Sequence, residues 1–223
     1  MYDTRPNLVI GFHGCDLSVR ERLLNDYHPI EKSEKPYDWL GHGMYFWENN
    51  YDRASAWAHD KLKRGEIEKP AVIGAVLHLG TCCDFLDSNY INLVSKYHQV
   101  MVAHYQAMGK PIPENKDTKG DAHKDKLMRE LDCAVIEFMH EQIFSEYEKQ
   151  LDENKGFTNI KLFDSTRGVF TEGGEAFEGS GIQLKNHIQI CIRNANCIKG
   201  FFLPRKELDF TKALKDEYQR KKS

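Results

Sequence analysis

Two short stretches near the start of the chain carry residues able to do chemistry together. The first is His13-Gly14-Cys15, directly after the apolar run Leu8-Val9-Ile10. A glycine at the end of a strand lets a ligand approach the main chain, whose N–H and C=O then pair with a ligand amide. The imidazole beside it can hydrogen-bond a sugar hydroxyl through either ring nitrogen. The second stretch is Gly41-His42-Gly43-Met44-Tyr45-Phe46-Trp47. A tyrosine face is a platform for a flat aromatic ring, and a better one for a cationic ring. Taken singly, each stretch also reads as plain structure: a part-buried histidine with a turn glycine, and a core strand with large aromatics at its rim.

Other chemistries find little support. His140-Glu141 lacks a second histidine four residues after the first, so the zinc-protease helix pattern is absent, and no metal is expected. No phosphate-binding glycine loop follows a strand. Cys15 is a poor nucleophile partner for His13, because residues two apart on an extended chain diverge at a turn. The six cysteines form no CxxC pair and no zinc spacing. Free thiols in a reducing cytoplasm are the expectation. No apolar run approaches the eighteen or so residues that span a membrane, so no membrane partner is expected. A net charge of −3 neither demands nor forbids nucleic acid.

The elements that must position these residues follow from periodicity. Residues 7–12 read as a short buried strand, and Ser18 with Glu21 as a capping box opening a helix to about Asn25. Residues 26–43 are loop-like, and 44–48 read as a strand end. Asn50 caps a helix to Lys63 that Gly65 stops. Residues 71–79 are a strong buried strand. Two long helical stripes follow. One runs from Tyr90 to Met108 and ends at Gly109 and Pro111. The other runs from about Asp125 to Leu151. They predict a helical hairpin over 88–156, inserted into a strand-rich domain covering 1–204. Short strands return at "NIKLF", "RGVF", "HIQICI" and "CIKGFFL". Residues 205–223 form a charged tail with a solvated helix.

The order of these motifs resembles the ADP-ribosyltransferase fold, in the branch shared by diphtheria toxin and the poly(ADP-ribose) polymerases. The resemblance rests on His13-Gly14, then "GHGMYF", then a helix such as "DRASAWA", then "IGAVLHLG". It runs in order over residues 8–86 and again over about 160–203. It implies an α+β domain with a split antiparallel sheet, flanking helices and an inserted helical hairpin. It also implies NAD as co-substrate. His13 would contact the adenosine-side ribose, Gly14 would pair with the nicotinamide amide, and Tyr45 would stack on the nicotinamide ring. Where family members often carry Ser or Thr after His-Gly, this chain has Cys15, a weaker donor to that amide.

The branch is described by a His-Tyr-Glu triad. Its third member heads a late strand, and "QICIRN" fits best, which puts Gln189 in that place. His187 is the neighbouring rival on the same face. Glu172, Glu175 and Glu178, in the glycine-rich loop before it, are the alternative sources of a carboxylate. Arg167 would meet the pyrophosphate. A glutamine offers only a partial charge to a ribosyl cation, so a single transfer, mono-ADP-ribosylation, is expected rather than polymer growth. The implied partners are a macromolecular acceptor, protein or nucleic acid, and an inhibitory antitoxin-like protein if the chain is a bacterial toxin or defence effector. The competing readings are a catalytically weak NAD or ADP-ribose sensor of the same fold, and an NAD glycohydrolase.

Overall fold

A computed structural model describes residues 8–25, 31–205 and 209–221. The start of the first expected strand and parts of the 26–43 loop and of the 205–223 tail lie outside the described residues. The chain forms β1 (Val9–Asp16), α1 (Leu17–Asn25), β2 (Met44–Glu48), α2 (Tyr51–Lys63), β3 (Pro70–Leu77) and β4 (Cys82–Asp84). Then come α3 (Ser88–Ala107), β5 (Asn115–Lys116), β6 (Met128–Arg129) and α4 (Glu130–Glu153). The chain continues with β7 (Ser165–Phe170), β8 (His187–Ile192), β9 (Ile198–Phe202) and α5 (Phe210–Arg220). The architecture is α+β, with mostly antiparallel strands. Seven strands make one sheet in the order β4-β7-β8-β2-β1-β3-β9, and β5 pairs with β6 alone. The parallel pair is β4 with β7.

β1 runs through His13 and Gly14 to Asp16 rather than ending before them, because β3 pairs with it along its whole length. Its ladder with β2 is much shorter. Only Gly11 with Glu48 and Phe12 with Trp47 are paired. Beyond them, from Met44 to Phe46, β2 pairs with β8 alone. The two strands that carry His13 and Tyr45 therefore part company at those residues.

Side chains alternate across the sheet. On one face Met44, Phe46, Ala75, Leu77, Ile190 and Ile192 form the main core, with Leu23 of α1 packed against it. Burying a side chain such as Phe46 or Leu77 is worth about 1.5–3 kcal/mol. The other face carries Trp47, Val72 and Phe12, closed by Ala54 of α2. α2 presses on the strands so closely that a Cβ at Gly14 would overlap the Ala54 carbonyl oxygen. Gly14 thus has a packing reason to lack a side chain.

α1 begins two residues earlier than the Ser18–Glu21 capping box predicts, at Leu17. Asp16 is its cap, accepting from the N–H and hydroxyl of Ser18 through one oxygen and from the N–H groups of Glu68 and Lys69 through the other. Asn50 does cap α2, accepting from the Arg53 N–H. α3 and α4 pack on each other around Met101, Val135 and Phe138. α4 also clamps the turn before β2: Glu137 accepts from the His42 N–H and pairs with Arg193. "NIKLF" is not a strand. Asp164, at its end, accepts from the Thr81 N–H and from the Asn194 amide, fixing that segment by its side chain instead.

Candidate functional site

His13, Tyr45 and Gln189 stand on three strands that neighbour one another, β1, β2 and β8. Their side chains do not open onto one cavity. The Phe12–Trp47 pairing puts Trp47, and with it Tyr45, on the face opposite His13. His13 and Tyr45 meet through the main chain. His13 Nδ1 donates to the Tyr45 carbonyl oxygen at 2.7 Å, across the point where β1 and β2 diverge. A carbonyl only accepts, so the proton is on Nδ1 and Nε2 keeps its lone pair. Burial pushes the ring down to about 4, so it is neutral at pH 7.

His13 lines a cavity of about 200 Å³ with Cys15, Met44, Val19 and Arg22 of α1, and Lys61 of α2. Burial pushes the Cys15 thiol up to about 11, so it is a thiol and not a thiolate. Burial also lowers the Lys61 pKa. The cavity has room for a ring or a sugar but falls below the roughly 300–1,000 Å³ of a drug-sized ligand site.

Tyr45 is held on the other face. Its hydroxyl donates to the Gly41 carbonyl at 2.8 Å and accepts from the Leu40 N–H at 2.9 Å. Burial holds its pKa well above the usual phenol value. Its phenol anchors the 38–41 turn. Gln189 is also engaged. Trp39 donates from its indole nitrogen to Gln189 Oε1 at 2.6 Å. The Trp39 ring lies over Gly168, where a Cβ would strike it. Arg167 points from the opposite face into two carboxylates, Glu48 at 2.6 Å and Asp84 at 3.1 Å. Its guanidinium is part of a partly buried ion triad, of which Asp84 is the buried member.

Among the three loop glutamates, the positions differ sharply. Glu178 is exposed. Glu175 accepts from the Gly179 N–H inside its own loop. Glu172 lies beside the head of β8. It pairs with Arg53 of α2 and stands 3.9 Å from His187 Nδ1. Burial raises its pKa against the pull of Arg53 and Lys185. His187 donates from Nδ1 to the Lys185 carbonyl at 2.7 Å, and burial pushes it down to about 4. Its ring lies 6.3 Å from that of Trp47, which lies 6.1 Å from Trp57 of α2.

Arg53 is the residue that sequence reasoning passed over, and Trp47 entered it only as a rim aromatic. A signal for Arg53 exists: a cation in the first turn opposes the helix dipole, and needs a reason to be there. Arg53, Trp57 and Lys61 recur every four residues and so share one stripe of α2. Lys61 is at the His13 cavity and Arg53 at Glu172. Eight residues of helix separate them by about 12 Å. Among the described residues no three His, Cys, Asp or Glu side chains cluster as metal ligands would. No described helix is long and apolar enough to cross a membrane. Comparison with protein-family models, curated proteins and solved structures finds no match to this chain.

Proposed function

We propose that the protein binds NAD where β1 and β2 diverge, breaks the nicotinamide–ribose bond and transfers ADP-ribose to a macromolecular acceptor. The observation that carries this reading is the His13 Nδ1 bond to the Tyr45 carbonyl at that divergence. It fixes a neutral imidazole with a free lone pair at the wall of a small cavity. That is the form of histidine that accepts a hydrogen bond from a sugar hydroxyl. The resemblance of "HG", "GHGMYF" and the helix after it to the ADP-ribosyltransferases supports the same ligand. It also supports the finer fold assignment, a split-sheet ADP-ribosyltransferase domain with α3 and α4 inserted.

In the reaction, the C–N bond between ribose and nicotinamide breaks. The electron pair leaves with nicotinamide, which becomes neutral, and positive charge develops on the ribose. A nucleophilic atom of the acceptor then bonds to that carbon and gives up its proton. The site contributes by fixing the dinucleotide and by placing negative charge beside the developing cation. The dinucleotide exceeds the His13 cavity, so the rest of it runs along the α2 stripe from Lys61 past Trp57 toward Arg53. Arg167 has no part in this account, because Glu48 and Asp84 already hold it. Without a strand carboxylate at Gln189, one transfer per acceptor site is expected.

The test is incubation of the purified protein and cell extract with NAD labelled in its adenylate half. Label entering protein or nucleic acid supports the transferase. Free nicotinamide with no labelled macromolecule indicates a glycohydrolase. NAD binding with no release of nicotinamide indicates a sensor, which Gln189 favours.

A further inference from the structure

Three polar side-chain atoms in one neighbourhood are buried and lack a hydrogen-bond partner: Trp47 Nε1, Arg53 Nε and His187 Nε2. Trp47 is 4% exposed and His187 6%. Orphaned atoms of this kind are destabilising when left dry and unpaired. Native proteins rarely carry several together unless a ligand or water completes them. Two of the three residues adjoin Glu172 directly, and Trp47 adjoins His187, with ring centroids 6.3 Å apart. Arg53 pairs with the Glu172 carboxylate, and His187 lies 3.9 Å from it.

The polarity of the set narrows the ligand. Trp47 Nε1 and Arg53 Nε only donate. His187 has its proton on Nδ1, bonded to the Lys185 carbonyl, so Nε2 only accepts. The Glu172 carboxylate also accepts. A phosphate, which has acceptors alone, would leave His187 Nε2 unpaired and would face the Glu172 charge. A cation would face Arg53. An apolar group would leave every orphan unpaired. Adjacent hydroxyls, each a donor and an acceptor, satisfy two donors and two acceptors at once.

We infer that Trp47, Arg53, His187 and Glu172 form a subsite for the vicinal diol of a ribose, with Glu172 supplying the negative charge that Gln189 lacks. This inference rests on the NAD reading above. Binding of the diol relieves the three orphans and draws Glu172 away from Arg53 onto a ribose hydroxyl. Glu172 then lies next to the ribose carbon on which charge develops. Gln189 keeps its place under Trp39 and plays no direct part.

The experiment follows the indole N–H resonances of the full chain, with Trp47→Phe assigning one of the three tryptophans. NAD and ADP-ribose, which carry the diol, are expected to shift the Trp47 resonance, and nicotinamide alone is expected to leave it in place. In parallel, Glu172→Gln at saturating NAD is expected to lower nicotinamide release about a hundredfold, with Glu172→Asp restoring part of it. NAD that moves other resonances but not that of Trp47 overturns the subsite and leaves the NAD reading standing. Glu172→Gln with full nicotinamide release overturns the role of its charge. Millimolar NAD that moves no resonance overturns the NAD reading and the subsite with it.

Discussion

The imidazole of His13 reaches across the gap between two diverging strands and bonds the main chain of Tyr45 at 2.7 Å. One hydrogen bond thus does two things. It sets the tautomer of the ring, and it ties β1 to β2 where their own ladder has stopped. The two side chains named by the sequence are coupled, but through a backbone oxygen rather than around a shared ligand face.

The place of Tyr45 gives a prediction that separates anchoring from stacking. Its hydroxyl holds the Leu40 N–H and the Gly41 carbonyl. Tyr45→Phe removes both bonds and leaves two main-chain groups unpaired, at about 1–3 kcal/mol for each group that stays dry. Denaturant unfolding is expected to show Tyr45→Phe clearly less stable than wild type. A Phe variant as stable as wild type would return the ring to the role of a simple platform.

Arg167 gives a second separation. Removing it takes away the guanidinium that Glu48 and Asp84 share. Breaking a buried ion pair from one side costs about 3–5 kcal/mol. Arg167 and Glu48 are only partly buried, so Arg167→Ala is expected to lose less than that, but a clearly measurable amount, in urea titration. A variant of unchanged stability but weakened NAD binding would make Arg167 a pyrophosphate ligand after all.

Gly14→Ala tests the packing of α2 on β1. The added Cβ meets the Ala54 carbonyl, a backbone atom that cannot swing aside. Overpacking of this kind typically costs about 1–3 kcal/mol. Thermal unfolding of the variant is expected to begin below that of wild type, and an equal midpoint would show that α2 yields.

Three histidines, His140 and His187 buried and His13 partly so, set an acid limit. Burial holds His13 and His187 down to about 4 and His140 to about 3. In the unfolded chain such groups titrate near 6.5. Between those values the unfolded state binds more protons, so stability is full above about pH 6.5 and falls as pH drops toward 4. Glu172 and Asp38, both raised by burial, act in the opposite sense, two groups against three. The urea midpoint is expected to be lower at pH 5 than at pH 7.5. Equal midpoints would mean that these rings are solvated.

Much of the scaffold was legible because apolar runs and caps are local signals. The strands at 70–77 and 187–192 and the helix capped by Asn50 come directly from them. The extent of β1 did not, since its last residues are strand only because β3 lies beside them. α4 starts at Glu130 rather than near Asp125, because the Asp125 carboxylate is drawn to the Gly173 N–H and Met128–Arg129 pair with β5. The site divides in the same way. His13, Gly14 and Tyr45 stand out by type and spacing. The pairing of Arg53 with Glu172 joins residues more than a hundred positions apart, and no local pattern announces it. The engagement of Gln189 by Trp39 and of Arg167 by two acids is hidden for the same reason.

The most direct test of the central claim is calorimetric titration of NAD into the full chain and into His13→Ala, at a pH where His13 is neutral. Wild type is expected to bind NAD saturably and His13→Ala to bind it clearly more weakly. Equal affinities, or no heat with wild type at millimolar NAD, would contradict that claim.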